Sequence, residues 1–314
     1  MFFVFRYLLV GEFGVTSFDM GTLVKGLIYP FIYGAGIALA TLIVSDTSIT
    51  KIEKDRIYVI YIVSFFIIFF WAAFEQAGSS LTFIASNQTD RHFFGWEMPA
   101  SMVQIFNGLF VVIMAVPFSI LWDKLRASGK EPISPFKQAM GLFLIALSYF
   151  IIANNVKDLG TSGMLAVKWL ILLYLIQTCG ELCLSPIGLS LVSKLAPKRF
   201  SSLLYGVFFI ANAAGYALAG TLGSIMPATG DKFTKATELG IDLQAVLDKK
   251  IIPTVEQAKL LLDNQISDHY PNFVGFEIQN LYQFFMVFVV LSGIAGLILA
   301  LITPILKKMM YGVR

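Results

Sequence analysis

Long apolar runs dominate this chain, and mostly short polar connections separate them. Seven runs, at 23–45, 57–86, 98–122, 136–153, 164–195, 200–226 and 278–306, are long enough to cross a bilayer as helices, because roughly 17–25 residues span the hydrocarbon core. The long exception among the connections is 227–277, a polar stretch. It carries one amphipathic segment, Thr254 to Ile266, and reads as a soluble excursion rather than a domain.

Composition agrees with that pattern. Apolar residues make up 57% of the 314 and charged residues 14%, against about a quarter charged in a soluble domain. Mean hydropathy is +0.76. The fold expected is an all-α polytopic membrane protein in a lipid bilayer. The net charge of +3 adds little, because placement matters more than the sum. No nucleic-acid partner is expected. Cys179 and Cys183 lie four apart on one helix face and read as small packing residues. His92 and His269 fall in connections, so neither a histidine relay nor a metal site is expected, and no cofactor is called for.

Placement of positive charge sets orientation. Lys51, Lys54 and Arg56 precede the second run, and Lys124, Arg126, Lys130 and Lys137 flank the third-to-fourth connection. Lys194, Lys198 and Arg199 sit between the fifth and sixth runs, and Lys307, Lys308 and Arg314 close the chain. These clusters alternate, which assigns them all to the cytoplasmic side. The opposite short connections hold only Arg91 and Lys157. Runs two to seven then form six helices with both ends inside. Run one must descend from outside, which is natural if Met1 to Leu9 is the tail of an earlier helix hairpinned through Val10 to Thr22. The expectation is a fragment or truncated product; the alternative is a seven-helix protein with its N-terminus outside, as in a receptor.

Two glutamates stand out against this background, because a carboxylate inside a bilayer costs several kcal/mol on most scales. Glu181 lies about fourteen residues, roughly 21 Å, from either end of its run, too deep to snorkel. Gly180 precedes it, Ser185 shares its face one turn on, and Pro186 is expected to break the helix there and free carbonyls toward a cavity. A ligand ammonium or a partner lysine fits such an acid; an interhelical ion pair is the plainer reading. Glu75 lies roughly 27 Å along the axis from Ile57, in the outer half of a long, tilted helix, with Gly78 a candidate bend. A boundary carboxylate reaching solvent is its plainer reading. Gln104 and Asn107 set amides in one direction, suited to a peptide-like backbone or to ordinary interhelical bonding. Tyr205 and Phe208, among Gly206, Gly215 and Gly220, read as packing in a close helix interface.

The strings FWAAFEQAGSSLTFIA (70–85), VQIFNGLF (103–110) and GELCLSPIGLSLVSKLAPKRF (180–200) resemble the proton-dependent oligopeptide transporter (POT) family of the major facilitator superfamily. KEPISPFK (130–137) is similar to that family's link between its eighth and ninth helices. The resemblance implies a major-facilitator C-terminal six-helix bundle at 51–314 plus one preceding linker helix. Residues 1–50 become a remnant of the inter-bundle linker helices, 227–277 an extracytoplasmic loop, and the N-terminal six-helix bundle is missing. It implies proton-coupled symport of di- and tripeptides across the cytoplasmic inner membrane, with the C-terminus cytoplasmic and no enzymatic activity. Other major-facilitator carriers, such as nitrate or amino-acid transporters, and a non-functional remnant stay open as alternatives. Residue by residue, Glu75 matches the family's proton-coupling acid and Glu181 the acid that holds the peptide's free N-terminus. Asn107 matches a peptide-contacting asparagine and Ser185 a pocket serine. Phe208 stands where many bacterial members carry a pocket tryptophan.

Overall fold

A computed structural model describes Val4 and residues 24–313, apart from 94, 161 and 162. The expected helix tail over Met1 to Leu9 and its hairpin through Val10 to Thr22 lie outside the described residues, Val4 excepted.

Among the described residues, seven helical segments are long and apolar enough to span a membrane. The first, α1 (Tyr29–Val44), is entered by a π-helical turn, and Pro30 sits in its first turn, where a missing N–H costs nothing. The second, α2 (Lys51–Phe74), starts on a capping box: the Thr50 hydroxyl accepts from the Glu53 amide, and the Glu53 carboxylate accepts from the Thr50 amide at 2.9 Å. This span does not continue as one α-helix. A 3₁₀ turn at Glu75–Gly78 separates α2 from α3 (Ser80–Asn87), where the sequence turns small and polar.

Next come α4 (Ile105–Ala127, behind a 3₁₀ turn at Ala100–Gln104), α5 (Ser134–Val156), α6 (Val167–Leu195) and α7 (Ser201–Gly223). After them α8 (Gly230–Glu238), α9 (Leu243–Leu247) and α10 (Val255–Asp263) precede the last span, α11 (Leu281–Met309). The break expected at Pro186 does not occur: α6 runs through it. Removing one amide from a 29-residue helix frees a single carbonyl, that of Leu182, and the turns on both sides hold the axis.

Close backbone crossings at glycines set the packing. A Cβ added to Gly141 on α5 would sit 2.7 Å from the Gly180 carbonyl on α6, and one on Gly180 would sit 3.0 Å from the Gly141 carbonyl. Gly215 on α7 lies equally close to Trp71 on α2. Gly296 on α11 meets Leu142 and the Ala139 carbonyl on α5. Tyr149 of α5 is fully buried, with its ring stacked 4.8 Å from Phe288 of α11 and its hydroxyl donating to the Ala73 carbonyl at 2.7 Å. The aromatic core therefore ties α5, α11 and α2 together.

The 227–277 connection is more organised than a bare excursion. Ala236, Ile241, Leu243, Val246, Leu247, Leu261, Ile266 and Tyr270 form an apolar cluster separate from the bundle core. A capping box of Thr254 and Gln257 starts α10, inside the segment expected to be amphipathic. The unit is anchored to the end of α3: Asn87 donates to Asp231 at 3.2 Å, and the Gln88 side chain accepts from the Gly230 amide at 2.8 Å. Gln88 also donates to the Gly163 carbonyl at 2.6 Å, beside a two-residue parallel pairing of Thr89–Asp90 with Leu165–Ala166.

Candidate functional site

Glu75 is the first residue of the 3₁₀ turn, half-buried where α2 stops being α-helical. Its neighbour Gln76 holds that turn in place. Fully buried, Gln76 donates to the Ala72 carbonyl at 3.1 Å and to the Ala219 carbonyl of α7 at 3.0 Å. Its side-chain oxygen accepts from Ser80 at 2.6 Å and Ser79 at 3.2 Å. All the hydrogen-bonding capacity visible on one amide is thus spent on a helix break, and the break aims Glu75. Gly78 has open space around it, consistent with its reading as a bend position.

Glu181 follows directly on Gly180, so the Gly141–Gly180 crossing fixes its position. It is half-buried, on the side of α6 that meets α4. Asn107 of α4 donates toward both Glu181, at 3.4 Å, and the Thr178 hydroxyl, at 3.0 Å. Thr178 in turn donates to the Tyr174 carbonyl at 2.8 Å. Gln104 and Asn107 do not converge as expected: Gln104 reaches back to the Thr82 hydroxyl on α3 at 2.5 Å. The 3₁₀ geometry over Ala100–Gln104 rotates it away from the α-helical face on which Asn107 sits.

Glu181 is near enough for its charge to act on Glu75, and Tyr216 of α7 lies within reach of both. Tyr216 is 47% exposed and packs edge-on to Trp71, with ring centroids 5.6 Å apart. Among the described residues neither glutamate has a cationic partner within ion-pair distance. Ser185 is half-buried one turn beyond Glu181. Phe208 is not on this face. It is buried at 3% exposure, with its ring edge against Gly188, in a gap that a Cβ there would close to 2.7 Å.

The structure therefore gathers Glu75, Glu181 and Asn107 on one side of the bundle and leaves Phe208 beneath it. Sequence reading missed Gln76, Thr178 and Tyr216. Thr178 carried a usable signal, lying three residues before Glu181 and so on its face. Tyr216 carried only its position beside Gly215, whose close approach to α2 sets the ring against Trp71.

The sequence pattern of the POT family matches residues 32–239, well over half of the chain. The chain belongs to the POT family. Members of this family are transporters, not enzymes, and seven membrane-length helices make this one a multi-pass membrane protein. It is 34% identical over 178 residues to the peptide transporter YePEPT of Yersinia enterocolitica, a match covering 56% of this chain and 35% of that one. It is 31% identical over 210 residues to a di-/tripeptide transporter of Lactococcus lactis, covering 65% and 40%. A crystal structure of a POT peptide transporter with sulfate superposes with a TM-score of 0.63 at 26% identity, covering 93% of this chain and 51% of that one. A POT family transporter bound to 5-aminolevulinic acid shares the fold, with a TM-score of 0.69. The matches thus span well under half the length of these curated relatives and about half of the solved transporters.

Proposed function

We propose that this chain is the C-terminal six-helix bundle, with one preceding linker helix, of a proton-coupled di- and tripeptide symporter of the cytoplasmic membrane. Its C-terminus is cytoplasmic, and a second bundle lies N-terminal to it. The observation that carries the reading is the half-buried face on which Glu181, Asn107 and Glu75 gather with no cation at ion-pair distance among the described residues. Carboxylates at such depth face a protein interior or a watery cavity and perform a task. A peptide offers the two groups this face lacks, an ammonium for Glu181 and a backbone amide for Asn107. Ser185 extends the polar surface by one helical turn. Phe208 shapes the site from below, through Gly188. Glu75, at the helix break, takes the proton, and its charge state governs an ion pair to the second bundle. The names of the relatives, peptide and di-/tripeptide transporters, support the substrate class.

The test is uptake of a radiolabelled dipeptide by cells expressing the gene from its natural start. Glu75→Gln is expected to abolish accumulation against a gradient while leaving exchange intact. Glu181→Ala is expected to weaken uptake about a hundredfold, in line with loss of a desolvated charge pair, and only for peptides with a free amine. Proton-driven accumulation by the Glu75→Gln protein would overturn the coupling role. Unchanged affinity in the Glu181→Ala protein would overturn the ammonium site.

A further inference from the structure

The 227–277 unit meets α11 through a β-hairpin, in which Asn272–Phe273 pairs with Phe276–Glu277. Cross-strand partners share a face, and successive residues alternate between faces. The Ile278 amide extends the ladder by donating to the Pro271 carbonyl at 2.7 Å. One face thus carries Phe273, Phe276 and Ile278, and the other Asn272 and Glu277. The first face is turned to the bundle: Phe273 packs against the bundle core and Ile278 belongs to it. The second is turned to the rest of the unit, where Glu277 accepts from Lys249 at 2.9 Å. Phe276 lies on the bundle side yet is 73% exposed, so its ring overhangs the bundle instead of resting on it.

The two-residue turn of this hairpin is Val274–Gly275, with φ of 51° and 88°. Asparagine or aspartate before glycine suits such a turn, and a β-branched side chain at positive φ is strained. In water valine gains nothing here, being 79% exposed. One exposed apolar side chain is ordinary. A valine held against its backbone preference, beside an overhanging phenylalanine, calls for an apolar or interfacial surrounding. Depth along α11 supplies one. Lys307 and Lys308 mark the far end of that helix, and about 20 residues cross the hydrocarbon core. Counting back from Leu306 sets the opposite boundary near Met286. Leu281 then stands roughly 7 Å beyond it, at the outer limit of a headgroup layer about 5–7 Å deep. The bundle side of the hairpin faces into that layer. The device also recurs: HFFGWE at 92–97 and NFVGFE at 272–277 share one pattern, each ahead of a spanning segment. The first pairs Phe93 with Trp96, leaves Trp96 exposed and holds Glu97 on Arg91 at 2.9 Å. Tryptophan is enriched at membrane interfaces.

We propose that the 272–277 hairpin is a membrane anchor: Phe276 and Val274 lie in the headgroup layer around α11 and tie the 227–277 unit to the lipid surface. The occupant is lipid because the hairpin continues a surface that already belongs to lipid. Beneath it α11 presents an exposed stripe of Val290, Ile294, Leu297 and Leu301, whereas the polar groups that call for a peptide or protein partner stand on the α4–α6 side. The unit is then held at two points, on α3 through Asn87 and Gln88 and on the bilayer through Phe276. The inference rests on α11 spanning the membrane and not on the transport reading.

The experiment is electron paramagnetic resonance of nitroxide labels on the chain, reconstituted in liposomes of phosphatidylethanolamine and phosphatidylglycerol. Cys179→Ser and Cys183→Ala remove the native thiols, and Phe276→Cys, Val274→Cys and Asn272→Cys place one label at a time. Collisions with oxygen, which concentrates in the bilayer, are compared with collisions with a water-soluble nickel chelate. The oxygen-to-nickel ratio is expected to be severalfold higher at positions 276 and 274 than at position 272, on the opposite face. Equal ratios at all three positions would overturn the proposal. So would a label at position 276 shielded from both reagents, because protein would then cover the ring. Thermal unfolding identifies any labelled protein that fails to fold, and Val274→Cys, at an almost wholly exposed side chain, carries the test if Phe276→Cys does.

Discussion

Helices α4 and α5 are neighbours in sequence and both strongly apolar, yet they end in opposite environments. In its most apolar window, α5 buries 56% of its residues; the α4 span buries 6%, and within α4 only Trp122 is covered. In water that contrast would signal an error, because apolar surface left uncovered is unstable. In a bilayer it does not, since lipid tails solvate leucine as well as another helix does. Apolar exposure on α4 therefore says little about partners. Polar exposure says more: Asn107 on α4 and Glu181 opposite it are the groups a membrane leaves unsatisfied. The side of the bundle where α5 meets α6 and α11 is sealed by glycine crossings and stacked rings. The α4–α6 side is held open around a few polar atoms.

The contrast can be broken most sharply at the seal. Gly141→Leu would drive side-chain atoms into the Gly180 carbonyl, already 2.7 Å from where a Cβ would lie. Both helices are backbone at that point, so neither can yield by a rotamer change. The expected loss is about 3 kcal/mol, read as a drop in thermal unfolding temperature or as loss of a monodisperse peak in detergent. Because Gly180 adjoins Glu181, the same change should disturb the open side. A variant as stable as wild type would mean that the crossing is not a seal. Gln76→Leu comes second. It leaves the Ala219 carbonyl and the Ser79 and Ser80 hydroxyls without their partner inside the bundle. About 2 kcal/mol of destabilisation is expected, with Gln76→Glu retaining part of the network. A neutral Gln76→Leu would show that the helix break holds itself.

A third, smaller effect lies at the strap joining the two helices. Glu131 accepts from Arg126 of α4 at 2.9 Å and from Lys137 of α5 at 2.6 Å, and Lys137 lies 4.4 Å over the Trp122 ring. Hydrogen bonds from Arg126, then from Lys137, lower the Glu131 carboxyl from 4.5 to about 2. A carboxylate whose folded value is depressed adds stability above its unfolded value and loses it as pH falls through the folded value. The advantage of wild type over Glu131→Gln should thus be complete above about pH 5 and shrink toward pH 2. Its size is about 1 kcal/mol, because Arg126 is largely solvent-exposed and screened. Parallel melting curves of the two proteins across that range measure it, and a pH-independent difference would rule the ion pairs out as its cause.

Much of this was legible in the sequence, for definite reasons. Run length located the seven spans because the bilayer permits so few solutions. Glu181 was legible because its depth leaves no escape to water. The helix break at Glu75 was half-legible: Gly78 and the serines marked the place, but nothing local showed that Gln76 would bridge to Ala219 of α7. Pro186 misled, because a proline's local cost is real but a long helix with neighbours absorbs it. Phe208 was legible from pattern as packing in a close helix interface, and its buried ring does pack against Gly188, but its partner helix was not. Which face of α7 it occupies depends on Gly188, on another helix, leaving room for its ring.

Asn107 offers the finest test of the comparison, because its expected effect on stability is the smallest. Its contact with Glu181 is 3.4 Å, at the long limit for a hydrogen bond. Its better partner, Thr178, is secured without it through the Tyr174 carbonyl. It stands on the least buried of the seven spans, so removing its amide leaves no cavity in a packed interior. Asn107→Ala should therefore shift stability by no more than about 0.5 kcal/mol, the low end for a single neutral hydrogen bond, measured beside Gly141→Leu in the same detergent. A loss comparable to that of Gln76→Leu would put Asn107 in the structural framework. A near-silent substitution that weakens peptide uptake would place it where the open face predicts, holding a substrate and not a helix.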